Sequence, residues 1–161
     1  MILLNFVTAD GLRLGIKRGK QVIDAAASGQ NLGIEAPSSM EELTAMGKRG
    51  LGKLESLSAV TGADEQLPLE GLSLGPAIPR PGKIICVGLN YRHHAVEAGM
   101  AIPSEPILFS KFENAITSSG SDINISGMKQ VDYEAELAVV IGRRARAVRE
   151  QQALDYVLGY C

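Results

Sequence analysis

Apolar residues in this chain come in short runs separated by turn signals, and the first two, Met1 to Val7 and Leu12 to Lys17, flank Ala9-Asp10-Gly11. That pattern predicts a β-hairpin, with Gln21 to Ala25 as a third strand beyond the Arg18-Gly19 turn. At Ser38 the period changes. Ser38 and Ser39 are each followed three residues later by a glutamate, Glu41 and Glu42, the spacing of a capping box at a helix start. A second helix is predicted over Leu51 to Val60, with Leu51, Leu54 and Leu57 on one face. From Gly62 to Gly82 the chain is rich in Pro and Gly, and the prolines of Pro76 to Gly82 exclude helix and favour an extended connection. A small α+β domain is therefore expected over residues 1–75, and a mostly β domain over 76–161.

In the second part, Lys83 to Val87 reads as a buried strand entering the loop Gly88 to Arg92, with a helical turn opening at His93 and His94. Ile107 to Lys111 is another short strand, Ser118 to Asp122 a turn, and Ile123 to Ile125 a short strand. Val131 to Gly142 has acids at alternate positions and then a wholly apolar run, Leu137 to Ile141, which predicts a strand with a charged mouth and a buried end. Helical spacing at Val148, Ala153, Tyr156 and Val157 predicts a last helix over Val148 to Leu158, capped by Gly159.

Composition narrows the function classes. With 45% hydrophobic and 21% charged residues, 18 glycines and 7 prolines, the chain has the profile of a globular protein with many turns. A net charge of −2 with scattered Lys and Arg gives no basic stripe, so nucleic acid is not an expected partner. No apolar run approaches a membrane span and the start lacks signal-peptide character, so the expected location is the cytoplasm and no membrane partner is expected. Cys86 and Cys161 fit neither a disulfide framework nor zinc spacing.

Candidate chemistry gathers in the second part. On a strand, Asp132, Glu134 and Glu136 would share a face, roughly 7 Å between neighbours, and a hard divalent cation such as magnesium or manganese would relieve their repulsion. A strand end with a wet polar face is the plain alternative. On a helical turn, His94 and Glu97 face the same way, and a carboxylate beside an imidazole makes a general base; two solvated histidines at a helix start are the alternative. Lys111, ending its strand, could hold a substrate carboxylate or simply be solvated.

Taken in order, Lys83 to Ala95 (KIICVGLNYRHHA), Pro106 to Lys111 (PILFSK) and Val131 to Gly142 (VDYEAELAVVIG) resemble the fumarylacetoacetate hydrolase family. The first part resembles the small N-terminal domain that many bacterial members carry. The resemblance implies a β-roll catalytic domain, here incomplete, in a homodimeric enzyme holding Mg2+ or Mn2+ and acting on C–C bonds of small 2-oxo or diketo acids. Isomerisation or decarboxylation of such carboxylates is the alternative activity, and an inactive truncated fragment that only binds metal or a partner chain is the other alternative. It further implies Glu134 and Glu136 as metal ligands, His94 with Glu97 as the base for water or substrate, and Lys111 near the substrate. Asp132 matches the motif without a ligand role. A proline often follows the Phe-Ser-Lys motif in the family, where this chain has Phe112 and Glu113. The resemblance also implies a third, aspartate ligand in a segment beyond Cys161, so the chain is expected to be the N-terminal part of a longer enzyme.

Overall fold

The first hairpin closes where the sequence signals it: β1 (Ile2–Thr8) pairs antiparallel with β2 (Gly11–Arg18) through Thr8↔Gly11, and Gly11 adopts φ 117°, open to glycine without strain. The structure, a computed structural model, describes residues 1–62 and 65–161; Ala63 and Asp64, inside the predicted connection, lie outside the described residues. β3 (Gln21–Asp24) extends the sheet antiparallel to β2, and β4 (Gln66–Pro68) adds a fourth strand from within the connection. Val22 of β3 and Leu4 of β1 lean over Gly15 from either side, so that a Cβ there would lie 2.6 Å from Val22 Cγ1 and 2.9 Å from Leu4 Cδ1. Only glycine fits there.

Asp24 ends the sheet and starts a helix that the strand prediction through Ala25 overran. Its carboxylate accepts hydrogen bonds of 3.1 Å from the N–H groups of Ala26 and Ala27, capping α1 (Ala25–Leu32), while its other oxygen meets Arg13 at 3.1 Å. Asp24 followed by three alanines is a helix signal in its own right. The predicted capping box forms at Ser39, whose hydroxyl accepts from the Glu42 N–H at 3.1 Å to start α2 (Met40–Met46), while Glu42 reaches back to the Ser38 N–H at 2.8 Å. α3 (Lys48–Val60) begins three residues earlier than predicted and buries Leu54 and Leu57. These leucines, with Leu43, Leu14, Ile16, Val22 and Ile23, are all within 2% of full burial.

The connection is bound to this sheet. Asn5, itself buried, donates its side-chain N–H to the carbonyls of Pro76 (2.7 Å) and Ala77 (3.1 Å), and its own carbonyl accepts from Gly75 at 2.8 Å. With Val7 N–H donating to the Ser73 carbonyl at 2.8 Å and a bridge from Phe6 to Leu74, residues 73–77 cover the outer edge of β1.

The remaining elements are β5 (Ile84–Gly88), α4 (Arg92–Glu97), β6 (Ile107–Lys111), β7 (Val139–Ile141) and β8 (Val157–Tyr160), with 3₁₀ turns at Glu113–Ala115 and Glu150–Tyr156. The chain divides into two compact units, one of Met1–Ala77 with Thr117–Cys161 and one of Ile78–Ile116. The architecture is mixed α/β with three separate sheets, open rather than closed into a barrel. Among the described residues, no helix is long and apolar enough to cross a membrane.

Three expectations are corrected. Val148 to Leu158 is not an α-helix: its Gln152 N–H bonds back three residues to Arg149, and Val157 and Leu158 belong to β8, with Gly159 paired to Val140 instead of capping. The β-branched and apolar end of that segment finds a ladder partner in β7, which outweighs its helical spacing. Ile123 to Ile125 is irregular, with both isoleucines exposed. β5 is not buried on both faces; its residues alternate between half-buried and exposed.

Two outcomes are expected in this first part. Asp24→Ala removes two cap bonds and an ion pair and should cost about 2 kcal/mol in urea unfolding; no loss would mean that the cap carries nothing. The exposed Glu35 carboxyl is held below the usual range by its 2.6 Å hydrogen bond from Lys53, then by the Lys53 and Arg49 charges. Its small contribution is therefore present above the ordinary glutamate pKa and fades as pH falls through the lowered value. Lys53→Met should return its NMR titration midpoint toward the ordinary value, and an unmoved midpoint would contradict that cause.

Candidate functional site

The unit Ile78–Ile116 is built on one antiparallel pair, β5 with β6, in register from Gly88↔Ile107 to Ile84↔Lys111. At the Gly88 end the chain leaves the ladder through Leu89, a non-glycine residue at φ 50°. A left-handed leucine is uncommon and costs backbone strain, and nothing in its residue type announces it. It turns the chain toward α4.

α4 is stopped by a left-handed glycine. Gly99 has φ 65°, its N–H donates to the Val96 carbonyl at 3.1 Å, and the Met100 N–H reaches the Ala95 carbonyl at 2.8 Å. This Schellman pattern satisfies the last carbonyls of a six-residue helix. Ala95 is the one buried hydrophobic residue after Leu57 among the described residues, so α4 sits on its Ala95 side and turns the rest outward. His94 and Glu97 follow at helical i, i+3 spacing and both are exposed. Among the described residues, no hydrogen bond or ion pair joins them; bonds of this kind are often long or unformed without substrate.

Lys111 ends β6 with its Nζ 6.0 Å from the Phe109 ring centroid. Its register opposite Ile84 places it about 13 Å along the ladder from the Gly88 end. Phe112, where the family pattern has proline, precedes the 3₁₀ turn Glu113–Ala115, with the Ala115 N–H bonded to its carbonyl at 2.9 Å.

The acids Glu134 and Glu136 lie in the other unit, and here the expected long strand is corrected. The ladder of β7 with β8 pairs Val139↔Tyr160 and Val140↔Gly159, and Ala138 and Cys161 exchange bonds of 2.8 and 3.0 Å. Residues 131–137 precede that ladder and stand in no sheet, so the alternation of faces inferred for a strand is not imposed on the acids. Nor is the apolar end a buried core: Leu137 is 64% exposed and Val139 48%. The Tyr133 N–H donates to the carboxylate of the preceding Asp132 at 2.8 Å.

Glu134 and Glu136 are both exposed, and among the described residues no group of three or more His, Cys, Asp or Glu is gathered to hold a metal ion. Two neighbouring carboxylates nevertheless have donor chemistry that suits a hard divalent ion, because magnesium is commonly held by one or two carboxylates and keeps several waters.

Residues 83–161 match the family model described as fumarylacetoacetate (FAA) hydrolase, C-terminal. The fumarylacetoacetate hydrolase domain-containing protein 2 homolog of Dictyostelium discoideum is 53% identical over 98 residues, covering 60% of this chain and 32% of that protein. A mitochondrial oxaloacetate tautomerase of Xenopus laevis is 36% identical over 165 aligned positions, covering 99% and 50%. Among solved structures, maleylpyruvate hydrolase from Sphingobium sp., in complex with manganese(II) and pyruvate, superposes with a TM-score of 0.69 at 25% identity, over 99% of this chain and 56% of that one. The chain thus spans a third to about a half of the length of these relatives. The matches support a fumarylacetoacetate hydrolase superfamily domain.

Because Gly99 alone lets α4 stop in a left-handed turn, Gly99→Ala should cost about 1 kcal/mol locally. The Gly99 and Met100 amides should then exchange roughly fivefold faster, and unchanged exchange would show that the His94–Glu97 turn does not depend on this cap.

Proposed function

We propose that this chain is part of a divalent-metal-dependent hydrolase of the fumarylacetoacetate hydrolase superfamily, cleaving a C–C bond in a small 2-oxo or diketo acid. The observation that carries this reading is the joint presence, within one matched region, of the exposed acids Glu134 and Glu136 and the His94–Glu97 spacing on α4. Residues from about 76 onward would form the catalytic part and residues up to about 75 an accessory domain, with a homodimer as the assembled enzyme.

Glu134 and Glu136 would hold Mg2+ or Mn2+. When bound, such an ion supplies Lewis-acid polarisation of substrate oxygens and stabilises developing enolate charge. His94 takes a proton at its ring nitrogen, from water in hydrolysis or from the substrate carbon between two carbonyls in isomerisation. Glu97, three residues on along the same helix, is the group that would orient the imidazole. Lys111 places an ammonium where a substrate carboxylate can be held as a point charge.

Maleylpyruvate hydrolysis by the structural relative supports the hydrolytic reading. Enol–keto isomerisation is the second reading, favoured by the tautomerase relative that aligns with 99% of this chain. The two use the same base and differ in whether water enters. Decarboxylation, or metal and partner binding without turnover, are the remaining outcomes.

A Mn2+ titration by calorimetry, followed by assays with an acylpyruvate and with the enol of oxaloacetate, tests the assignment in the enzyme that contains this chain. Glu134→Ala should weaken Mn2+ binding by at least about tenfold with its melting temperature held. His94→Ala should slow turnover by roughly 10²–10⁴ with Mn2+ binding unchanged. Full Mn2+ affinity in the first variant, or full turnover in the second, would remove that residue from its role.

A further inference from the structure

A cleft of about 430 Å³ opens in the larger unit between the α2–α3 junction and the β7–β8 pair, away from Glu134 and Glu136 in its lining. Its walls meet where a Cβ at Gly47 would lie 3.7 Å from the Gly142 carbonyl. Lys48 and Arg49 line one side, and Arg143 with Asp155 the other. Among the described residues, none of these four is in an ion pair. Arg49 also acts on Glu35, so the case rests on Lys48 and Arg143. In a chain of net charge −2, two uncommitted cations facing one cleft from separate elements form a local reversal of sign.

Arg143 is held in place. Its guanidinium carbon stands 3.9 Å from the centroid of the Tyr156 ring, a cation–π contact within the same cleft lining. Met46, Val157 and Leu158 contribute hydrocarbon to the wall. The space is many times that of one water and falls in the range of small-molecule sites. Cations from two separate elements with hydrocarbon in the same wall suit two carboxylates joined by a short hydrocarbon spacer. A compact, strongly hydrated inorganic anion would leave the apolar wall unused.

We infer that the cleft between Lys48 and Arg143 is a second ligand site, which takes a small dicarboxylate with one carboxylate at each cation. It stands independently of the metal-centred reading.

Calorimetric titration of the whole chain with succinate, and separately with inorganic phosphate, tests it at low ionic strength with EDTA present, so that ions held by Glu134 and Glu136 contribute nothing. Succinate should bind, and Lys48→Gln and Arg143→Gln should each weaken it at least fivefold. Lys20→Gln, in the remote β2–β3 turn, should leave it unchanged. Lys48→Gln alters only an exposed side chain at the start of α3, and a matching melting temperature separates a lost contact from a lost fold. Arg143→Lys should recover part of the affinity, since it keeps the charge without the stacked fork. The inference is overturned if succinate does not bind, if its affinity survives both Gln variants, or if phosphate binds more tightly than succinate.

Discussion

Water is excluded from this molecule chiefly in the first part of the chain, where β1 to β3 with α2 and α3 carry most of the buried apolar side chains among the described residues. Leu14, Ile16, Val22 and Ile23 of the sheet and Leu43, Leu54 and Leu57 of the helices are among its most fully buried side chains, and Gly15 leaves room over β2 for Val22 and Leu4 from the strands on either side. At about 1.5–3 kcal/mol for each large side chain buried, this cluster is the main favourable term available to the chain. Asn5 extends its influence: by holding the carbonyls of Pro76 and Ala77 it anchors the proline-rich connection to the sheet edge.

The residues with chemistry sit where packing is thinnest. β5 with β6 and β7 with β8 are two-stranded pairs, and a lone pair of strands is marginal in water. Ile85, Leu108, Phe112, Leu137 and Ile141 are all more than half exposed. Around His94, Glu97 and Lys111, short-range devices shape the chain: the Gly99 turn and the β6 register. A ligand that binds only the ordered form stabilises it by mass action, so an ion shared by Glu134 and Glu136 would be a structural element as well as a chemical one.

Local chemistry was legible wherever one residue type has one strong preference. The Asp10-Gly11 turn, the Ser39–Glu42 capping box and the i, i+3 relation of His94 and Glu97 are of this kind. Segments whose state is decided by a distant partner were not. Val157 and Leu158 read as helix because their spacing allows it, yet they pair with β7. The acids at 132–136 read as one face of a strand because alternation suggests it, yet the ladder begins only at Ala138. Leu89 had no signal at all, since its conformation is imposed by the exit from β5. The family motifs marked the candidate side chains, while periodicity alone could not say how they are held.

Hydrogen exchange of the chain with and without Mn2+ tests most directly whether residues 131–137 are a metal site ordered by its own ion. Amides from Tyr133 to Leu137 should gain at least about tenfold protection with Mn2+, while those of Leu14, Ile16, Val22 and Ile23 stay strongly protected in both conditions. Unchanged exchange at 133–137, or a gain spread evenly over the whole chain, would contradict it.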